Sequence, residues 1–118
     1  MTDDAITIFH NPRCSKSRKT VEILTEKGFS FSLYEYLDER PRVEALRRVM
    51  VALAIDDPRD MMRTKEAVYA EQDLADATTD ELLAAMVEHP KLIERPIVIR
   101  GDRAIIARPP ELVTEFLA

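Results

Sequence analysis

The chain has one cysteine, and its neighbours are residue types that make a thiol reactive. Cys14 follows a short apolar run and lies in the loop from His10 to Arg18, which reads HNPRCSKSR. A helical pattern begins directly after Cys14, so free backbone N–H groups and the positive end of the helix dipole lie close to the thiol. Nearby positive charge and hydroxyl donors also lower the pKa of a thiol. We therefore predict a thiolate at Cys14, in a setting that also attracts an oxyanion.

Two other cysteine motifs do not fit this loop. Ser17 stands where a Cys-x-x-Cys pair would have its second thiol, and Thr20 stands where a phosphatase-type loop would have its arginine. Because one cysteine cannot form an internal disulfide, any redox reaction needs an external thiol. An oxyanion at Cys14 must then be held largely by residues from elsewhere in the chain.

Three arginines are candidates for that role, because guanidinium groups bind tetrahedral oxyanions through paired hydrogen bonds that lysine cannot reproduce. Arg95 directly precedes Pro96 at the start of a predicted strand, and Arg108 directly precedes Pro109 at the end of one. These two arginines flank a predicted hairpin, so we expect them at the same edge of the sheet. Arg63 follows two methionines in a short predicted helix.

The two histidines have different settings. His10 ends the first predicted strand, four residues before Cys14. It is interpreted as a hydrogen-bond donor to the thiolate or to the loop backbone, as a charge that shifts the thiol's titration, or as a residue that only stabilises the turn. His89 precedes Pro90 at a predicted helix end and is interpreted as a helix-terminal cation or a surface residue.

The composition is that of an ordinary soluble protein. The 118 residues are 46% hydrophobic and 33% charged, and their formal net charge is −5. That balance argues against nucleic acid as a partner. The sequence begins without a secretory signal pattern, and no apolar run is long enough to span a bilayer. We expect a cytoplasmic protein that does not associate with a membrane, with one domain over residues 1–118.

Hydrophobic periodicity predicts the order β-α-β, a helical block, and β-β-α. The first unit has a strand at 5–9, a helix from Cys14 or Ser15 to Lys27 stopped by Gly28, and a strand from Phe29 to Tyr36. A parallel pairing of these two strands is expected. The final unit has two strands around a Gly101-Asp102 turn and a helix after Pro110 that buries Leu112, Val113, Phe116 and Leu117.

A helical insertion is predicted over roughly residues 41–90. It contains an apolar helix face from Val43 to Leu53, a short helix capped by Asp57, an ambiguous stretch at 66–74, and a capping-box helix that begins at Thr78 and ends at Pro90. The whole is predicted to be a two-layer α/β domain with a mixed sheet of about four strands. This element order is the thioredoxin arrangement with an insertion after the second strand.

Taken together, these residues resemble the ArsC family, the glutaredoxin-coupled arsenate reductases. The resemblance runs from Ile6 to about Leu117. It rests on His10-Asn11-Pro12-x-Cys14 with Ser17 and Arg18, then Arg63, then Glu94-Arg95-Pro96-Ile97-Val98, then Arg108-Pro109. The resemblance implies a thioredoxin-like fold and a cis peptide bond before Pro96.

The resemblance also implies an activity, the reduction of arsenate to arsenite. Cys14 would be the nucleophile, His10 would help to lower its pKa, and three arginines would hold the oxyanion: Arg63, Arg95 and Arg108. Supporting positions would be Asn11, Ser17, Arg18 and Pro96. Glutathione would be the co-substrate and glutaredoxin would resolve the mixed disulfide, with no metal and no bound organic cofactor.

Two other functions remain open at this point. One is a regulator like the Spx proteins, which bind RNA polymerase and sense oxidation. Those proteins commonly use a Cys-x-x-Cys switch, which Ser17 interrupts here, and retention of the three arginines favours the enzyme. The other is a general glutathione-dependent thiol exchanger, which would not require the arginines.

Overall fold

A computed structural model describes residues 5–117, and every structural statement below concerns that part of the chain. The strands are β1 (Ile6–Phe9), β2 (Ser32–Tyr34), β3 (Ile97–Arg100) and β4 (Arg103–Ile106). The α-helices are α1 (Ser15–Glu26), α2 (Val43–Leu53), α3 (Ala67–Glu71), α4 (Thr79–Glu88) and α5 (Leu112–Phe116). Short 3-10 turns lie at Pro58–Met61, Leu74–Asp76 and Pro90–Leu92. None of the helices in residues 5–117 has the length and apolar character needed to cross a membrane.

The four strands form one mixed sheet in the order β2-β1-β3-β4. β1 pairs in parallel with β2 and antiparallel with β3, so Phe9 lies between Tyr34 and Ile97. β3 and β4 form an antiparallel hairpin. The predicted mixed sheet and parallel β-α-β unit are therefore confirmed. Because β1 lies between β2 and β3, the loop after Phe9 begins at the end of a central strand and not at an edge of the sheet.

Helices cover both faces of the sheet, which corrects the expectation of two layers. Successive side chains of a strand point to opposite faces. On one face, Ile8 and Val98 pack with Leu24 of α1 and Val113 of α5. On the other face lie Phe9, Ile97 and the helical block with its buried residues Leu46, Val49, Met50, Leu82, Leu83 and Met86. The domain is a three-layer sandwich because both faces of β1 and β3 are apolar.

The second strand is shorter than predicted. Its ladder with β1 includes only Ser32–Tyr34, because β1 ends at Phe9 and offers no partner beyond it. The Tyr36 N–H turns back to the Tyr34 carbonyl at 3.1 Å. The alternation that predicted the longer strand is still visible in packing, since Phe29 and Phe31 contact the α1 side of the core. Leu33, however, is 45% exposed.

The predicted turns and caps are mostly confirmed. Gly28 and Gly101 have φ angles of 80° and 62°, which suits glycine, and Gly101-Asp102 is the two-residue turn of the hairpin. Thr78 and Glu81 form both bonds of a capping box at α4. Asp57 caps the segment after it as predicted, but that segment is a 3-10 turn that ends at Met61, before Arg63.

The stretch at 66–74, which the sequence left ambiguous, contains α3, a helix of five residues. One helical assignment differs in detail from the prediction. The last helix begins at Leu112 rather than directly after Pro110, and Leu112 is 40% exposed. A helix this short buries one narrow face. Val113 lies on that face and is buried, and so is Leu117 directly after the helix, whereas Leu112 is not.

Candidate active site

Cys14 is the N-cap residue of α1, at the end of a loop held by its own backbone bonds. The Cys14 N–H donates to the Asn11 carbonyl at 3.0 Å, and the Arg13 N–H donates to Asn11 Oδ1 at 3.0 Å. The Arg18 side chain donates to the Pro12 carbonyl at 2.9 Å. These contacts turn the chain sharply between β1 and α1. They leave the thiol partly buried, at the positive end of the helix.

The environment of Cys14 favours the thiolate. Burial alone raises the pKa of this thiol, but the backbone N–H groups of Ser17 and Lys16 and the charge of Arg95 lower it below its ordinary value. A hydrogen bond from the Arg95 side chain acts in the same direction. The result is the predicted electrostatic setting, with one addition: the strongest side-chain contribution comes from a residue 81 positions away in the chain (95 − 14 = 81).

Arg95 has donors that no protein group uses. Within residues 5–117, its Nε and Nη1 atoms are buried and have no hydrogen-bond partner. Buried donors of a charged group without a partner are costly, so they usually mark a place for a ligand or an ion. The peptide bond between Arg95 and Pro96 is cis, as the family resemblance implied. Pro96 is buried, and its carbonyl accepts from the Ala107 N–H at 3.0 Å.

The structure brings Arg108 next to Arg95, as the predicted hairpin required. The Arg108 Nη1 donates to the Arg95 carbonyl at 3.2 Å, and Arg108 is otherwise exposed. The hairpin β3-β4 makes this contact possible, because Arg95 precedes one of its strands and Arg108 follows the other. The peptide bond between Arg108 and Pro109 is also cis, which the sequence did not predict.

Arg63 reaches the same region through a junction of two backbone hydrogen bonds that we call the neck. In the neck, Met62 and Ile93 form an isolated antiparallel bridge. The Arg63 N–H donates to the Leu92 carbonyl at 2.7 Å, and the Glu94 N–H donates to the Met61 carbonyl at 2.9 Å. The Arg63 guanidinium itself forms an ion pair with Glu66.

Tyr36 connects these groups, and sequence reasoning did not assign it to the site. Burial raises the pKa of Tyr36 to about 12, and the charges that act on it are those of Arg95, Cys14, Arg63 and Glu94. Its hydroxyl is therefore close enough to be influenced by the charges of Cys14 and of two of the three arginines. Its ring stacks on Phe9, with centroids 5.9 Å apart. Its position just beyond the carboxyl end of a strand parallel to β1 is the signal that points to it.

His10 contacts the loop rather than the thiol. Its Nδ1 is 2.7 Å from the Ser17 hydroxyl oxygen, and that oxygen also accepts the Asn11 N–H at 3.1 Å. Both His10 and Ser17 are buried. Burial lowers the pKa of His10, with Glu35 raising it and Arg18 lowering it further. The imidazole is therefore neutral near pH 7, and its Nδ1 can accept the Ser17 hydroxyl proton.

The remaining candidate ligands lie elsewhere. His89 is at the end of α4, with its Nε2 3.5 Å from the Glu88 carboxylate, and it has no contact with the Cys14 loop. Among residues 5–117, no three side chains of His, Cys, Asp or Glu are grouped so that they could hold a metal ion. The groups that the structure gathers around Cys14 are a thiol with a lowered pKa, guanidinium groups and a buried phenol, and positive guanidinium donors suit an oxyanion.

Comparison with known proteins agrees with this geometry. Residues 9–116 match the ArsC family. An arsenate reductase of Haemophilus influenzae is 47% identical over 115 residues, which cover 96% of this chain and 99% of that protein. The uncharacterised protein YfgD of Escherichia coli is 44% identical over 114 residues, or 95% of this chain and 96% of its own length.

Solved structures give the same relationship in three dimensions. The structure of an arsenate reductase from Vibrio cholerae superposes with a TM-score of 0.91 and 47% identity, over 94% of this chain and 96% of that one. The structure of the YffB protein PA3664, which is 19% identical, still superposes with a TM-score of 0.80, so the thioredoxin-like architecture extends beyond close relatives. The chain belongs to the ArsC family.

Proposed function

We propose that this protein reduces arsenate to arsenite at Cys14, with glutathione and glutaredoxin as external reductants. The observation that supports it most directly is the pair of unpartnered, buried Arg95 nitrogens beside a thiol whose pKa is lowered. Lowering the pKa of a thiol requires only the charge of Arg95, whereas its Nε and Nη1 also offer donors that no protein group among residues 5–117 uses. A tetrahedral oxyanion uses them, because it accepts two parallel hydrogen bonds from one guanidinium.

The first step of the proposed reaction joins substrate and enzyme. The Cys14 sulfur attacks arsenic, an As–S bond forms, and one arsenate oxygen leaves as water after taking up protons. Arsenic remains pentavalent in this step. Arg95 stabilises the negative charge on the remaining oxygens, together with Arg63 and with Arg108, which donates to the Arg95 carbonyl.

The second step transfers electrons. A glutathione thiolate attacks the Cys14 sulfur, a disulfide bond forms and the As–S bond breaks. The electron pair of that bond stays on arsenic, which leaves as trivalent arsenite. Glutaredoxin then attacks the glutathione sulfur and releases the Cys14 thiolate. A single cysteine suffices because the second sulfur of each disulfide comes from outside the chain.

A coupled assay tests the proposal. NADPH oxidation is followed with arsenate, glutathione, glutaredoxin and glutathione reductase present, and we expect arsenate-dependent turnover that Cys14→Ser abolishes. Arg95→Lys should lower kcat/KM for arsenate by about 100-fold, since one preorganised donor pair contributes about 2.7–4 kcal/mol to a developing oxyanion. Arg40→Lys is the matched control, because Arg40 is exposed and lies outside the site.

The same variants separate this enzyme from a general thiol exchanger. If Arg95→Lys retains full arsenate-dependent turnover, or if the wild-type protein shows none, the proposed reaction is wrong. A protein that exchanges small disulfides at equal rates with and without Arg95 would instead be a thiol exchanger.

A further inference from the structure

A cleft of about 230 Å³ lies beside the Cys14 loop, and the reaction above assigns no part to it. One wall is the loop itself, and the other is the segment that follows β2. The lining residues are His10, Asn11, Pro12, Arg13, Glu35, Leu37 and Asp38. The cleft adjoins the nucleophile, because Arg13 is the residue directly before Cys14 and the Cys14 N–H donates to the Asn11 carbonyl.

The two walls carry opposite charges that do not neutralise each other. Arg13 is on the loop wall, and Glu35 and Asp38 are on the facing wall. Within residues 5–117 the side chains of these three residues form no hydrogen bond and no ion pair with protein groups. A backbone bond of 3.0 Å from the Asp38 N–H to the Glu35 carbonyl fixes the anionic wall in one turn.

The ligand that matches such a cleft is a small zwitterion. An amino-acid group carries a carboxylate for Arg13 and an ammonium for Glu35 and Asp38. The volume is below the roughly 300–1,000 Å³ typical of sites for drug-sized ligands, so it accommodates a head group and leaves the rest of the molecule outside.

We propose that this cleft binds the zwitterionic amino-acid group of a small thiol peptide, of which glutathione is one, and so presents the peptide's sulfur to Cys14. This inference rests on the proposed function to the extent that a thiol of this class is the reductant. It adds to that function a binding site for the thiol peptide and an orientation for its carboxylate and ammonium groups. The three specificity-determining residues are Arg13, Glu35 and Asp38.

Because the chain has one cysteine, thiol attack can be followed without arsenate. Cys14 is first converted to its mixed disulfide with 2-nitro-5-thiobenzoate. An added thiolate then attacks the Cys14 sulfur, so one disulfide bond forms as another breaks, and the nitrothiobenzoate anion that leaves is measured by its absorbance. The reaction is run with glutathione, which has the zwitterionic group, and with 2-mercaptoethanol, which has no charge.

We expect the rate with glutathione to fall about threefold to tenfold in the double variant Glu35→Gln/Asp38→Asn, as for the loss of two exposed charge contacts. The rate with 2-mercaptoethanol should be unchanged. Glu39→Gln is the matched control, because Glu39 follows the same turn but does not line the cleft, and it should affect neither thiol. Arg13→Gln should also slow glutathione selectively.

Equal rates with glutathione in the wild type and the double variant would overturn the proposal, as would an equal slowing of both thiols. The result is independent of arsenate chemistry. A protein that shows the expected selectivity but reduces no arsenate would contradict the proposed function and leave the cleft assignment in place.

Discussion

Arg95 illustrates how much of the site depends on a single side chain. Its charge favours the Cys14 thiolate, its charge also acts on the buried Tyr36 hydroxyl, and its carbonyl accepts from Arg108. Two of its nitrogens have no protein partner among residues 5–117. The residue therefore lowers the thiol pKa in the free protein and keeps donors available for an anion.

At this scale the first prediction concerns the titration of Cys14. The alkylation rate of the single thiol with iodoacetamide is measured against pH, and we expect its inflection below the ordinary cysteine pKa of 9.0. Arg95→Gln should move the inflection upward, since one of the groups that lower the pKa of Cys14 is removed. Arg40→Gln serves as control, and an unchanged inflection in Arg95→Gln would contradict the assignment.

A second prediction concerns His10 and pH. Burial lowers the pKa of His10 in the folded protein below the ordinary value of 6.5, so the unfolded chain binds a proton first as pH falls. Well above pH 6.5 this histidine is neutral in both states and adds no pH dependence. Stability should therefore decrease as pH falls from about 6.5 through the lower folded pKa.

Urea denaturation at several pH values between 7.5 and 5 measures this effect. We expect His10→Asn, which keeps a polar group towards Ser17 but does not titrate, to show a smaller loss of stability over this range. If His10→Asn keeps the full wild-type loss of stability over this range, His10 is not its source.

Much of the residue-level chemistry was predictable, and the reason is local. The Cys14 loop, its helix N-terminus and its flanking hydroxyls are contiguous, so spacing alone indicated a reactive thiol. The sequence left three interpretations of His10 open. Its partner is the Ser17 hydroxyl in the first turn of α1, and the burial of both residues depends on how the chain folds. Tyr36 was missed because its role depends on groups far apart in the chain.

At the scale of elements, caps determine where the helical block begins and ends. α4 carries three fully buried side chains, Leu82, Leu83 and Met86, and so closes one face of the core. Its N-terminus is held by the reciprocal bonds between Thr78 and Glu81, at 3.2 Å and 2.8 Å. These bonds satisfy the backbone N–H groups of Thr78 and Glu81, which have no partner within the helix. Thr78 therefore contributes more to stability than other exposed residues do.

We predict that Thr78→Ala lowers the free energy of unfolding by about 0.5–2 kcal/mol, the usual effect of losing an N-cap side chain. Thr79→Ala is an unusually close control, because Thr79 is the next residue, has the same side chain, is exposed, and is the first residue inside the helix. It should change stability by less than about 0.5 kcal/mol. Urea denaturation measures both, and equal losses would mean that the cap bonds contribute little.

The ends of elements were predicted well where they depend on neighbouring residues, as at Gly28, Gly101 and Thr78. The length of an element was predicted less well where it depends on the strand or helix that packs against it. The alternation from Phe29 suggested a long strand, but strand length is set by the ladder, and β1 supplies only four residues. The same holds for α5, whose apolar residues exceed what one short helix can bury.

For the molecule as a whole, the sheet separates two apolar cores. The larger one lies under the helical block, and the smaller one lies under α1 and α5. The smaller core is the one that fixes α1, the helix whose N-terminus faces Cys14. An order of layers cannot be deduced from element order alone, because it depends on which faces of β1 and β3 are covered.

We therefore predict that Leu24→Ala, which truncates the fully buried side chain of α1, lowers the free energy of unfolding by about 2–5 kcal/mol. Val51→Ala removes a comparable amount of side chain at a position that is 79% exposed, and it should change stability by less than about 0.5 kcal/mol. The measurement is urea denaturation at neutral pH. A loss for Leu24→Ala no greater than that for Val51→Ala would refute the view that this core anchors α1.

The neck has a consequence for how such chains can vary. Its two hydrogen bonds, which form the Met62–Ile93 bridge, join the segments that carry Arg63 and Arg95 independently of the chain between those segments. Lengthening a closed loop is inexpensive, about 0.6 kcal/mol for each doubling. We expect surface insertions or deletions between Thr64 and Lys91 to leave the relative position of the two arginines unchanged, so that lobe can vary in length without altering the proposed oxyanion site.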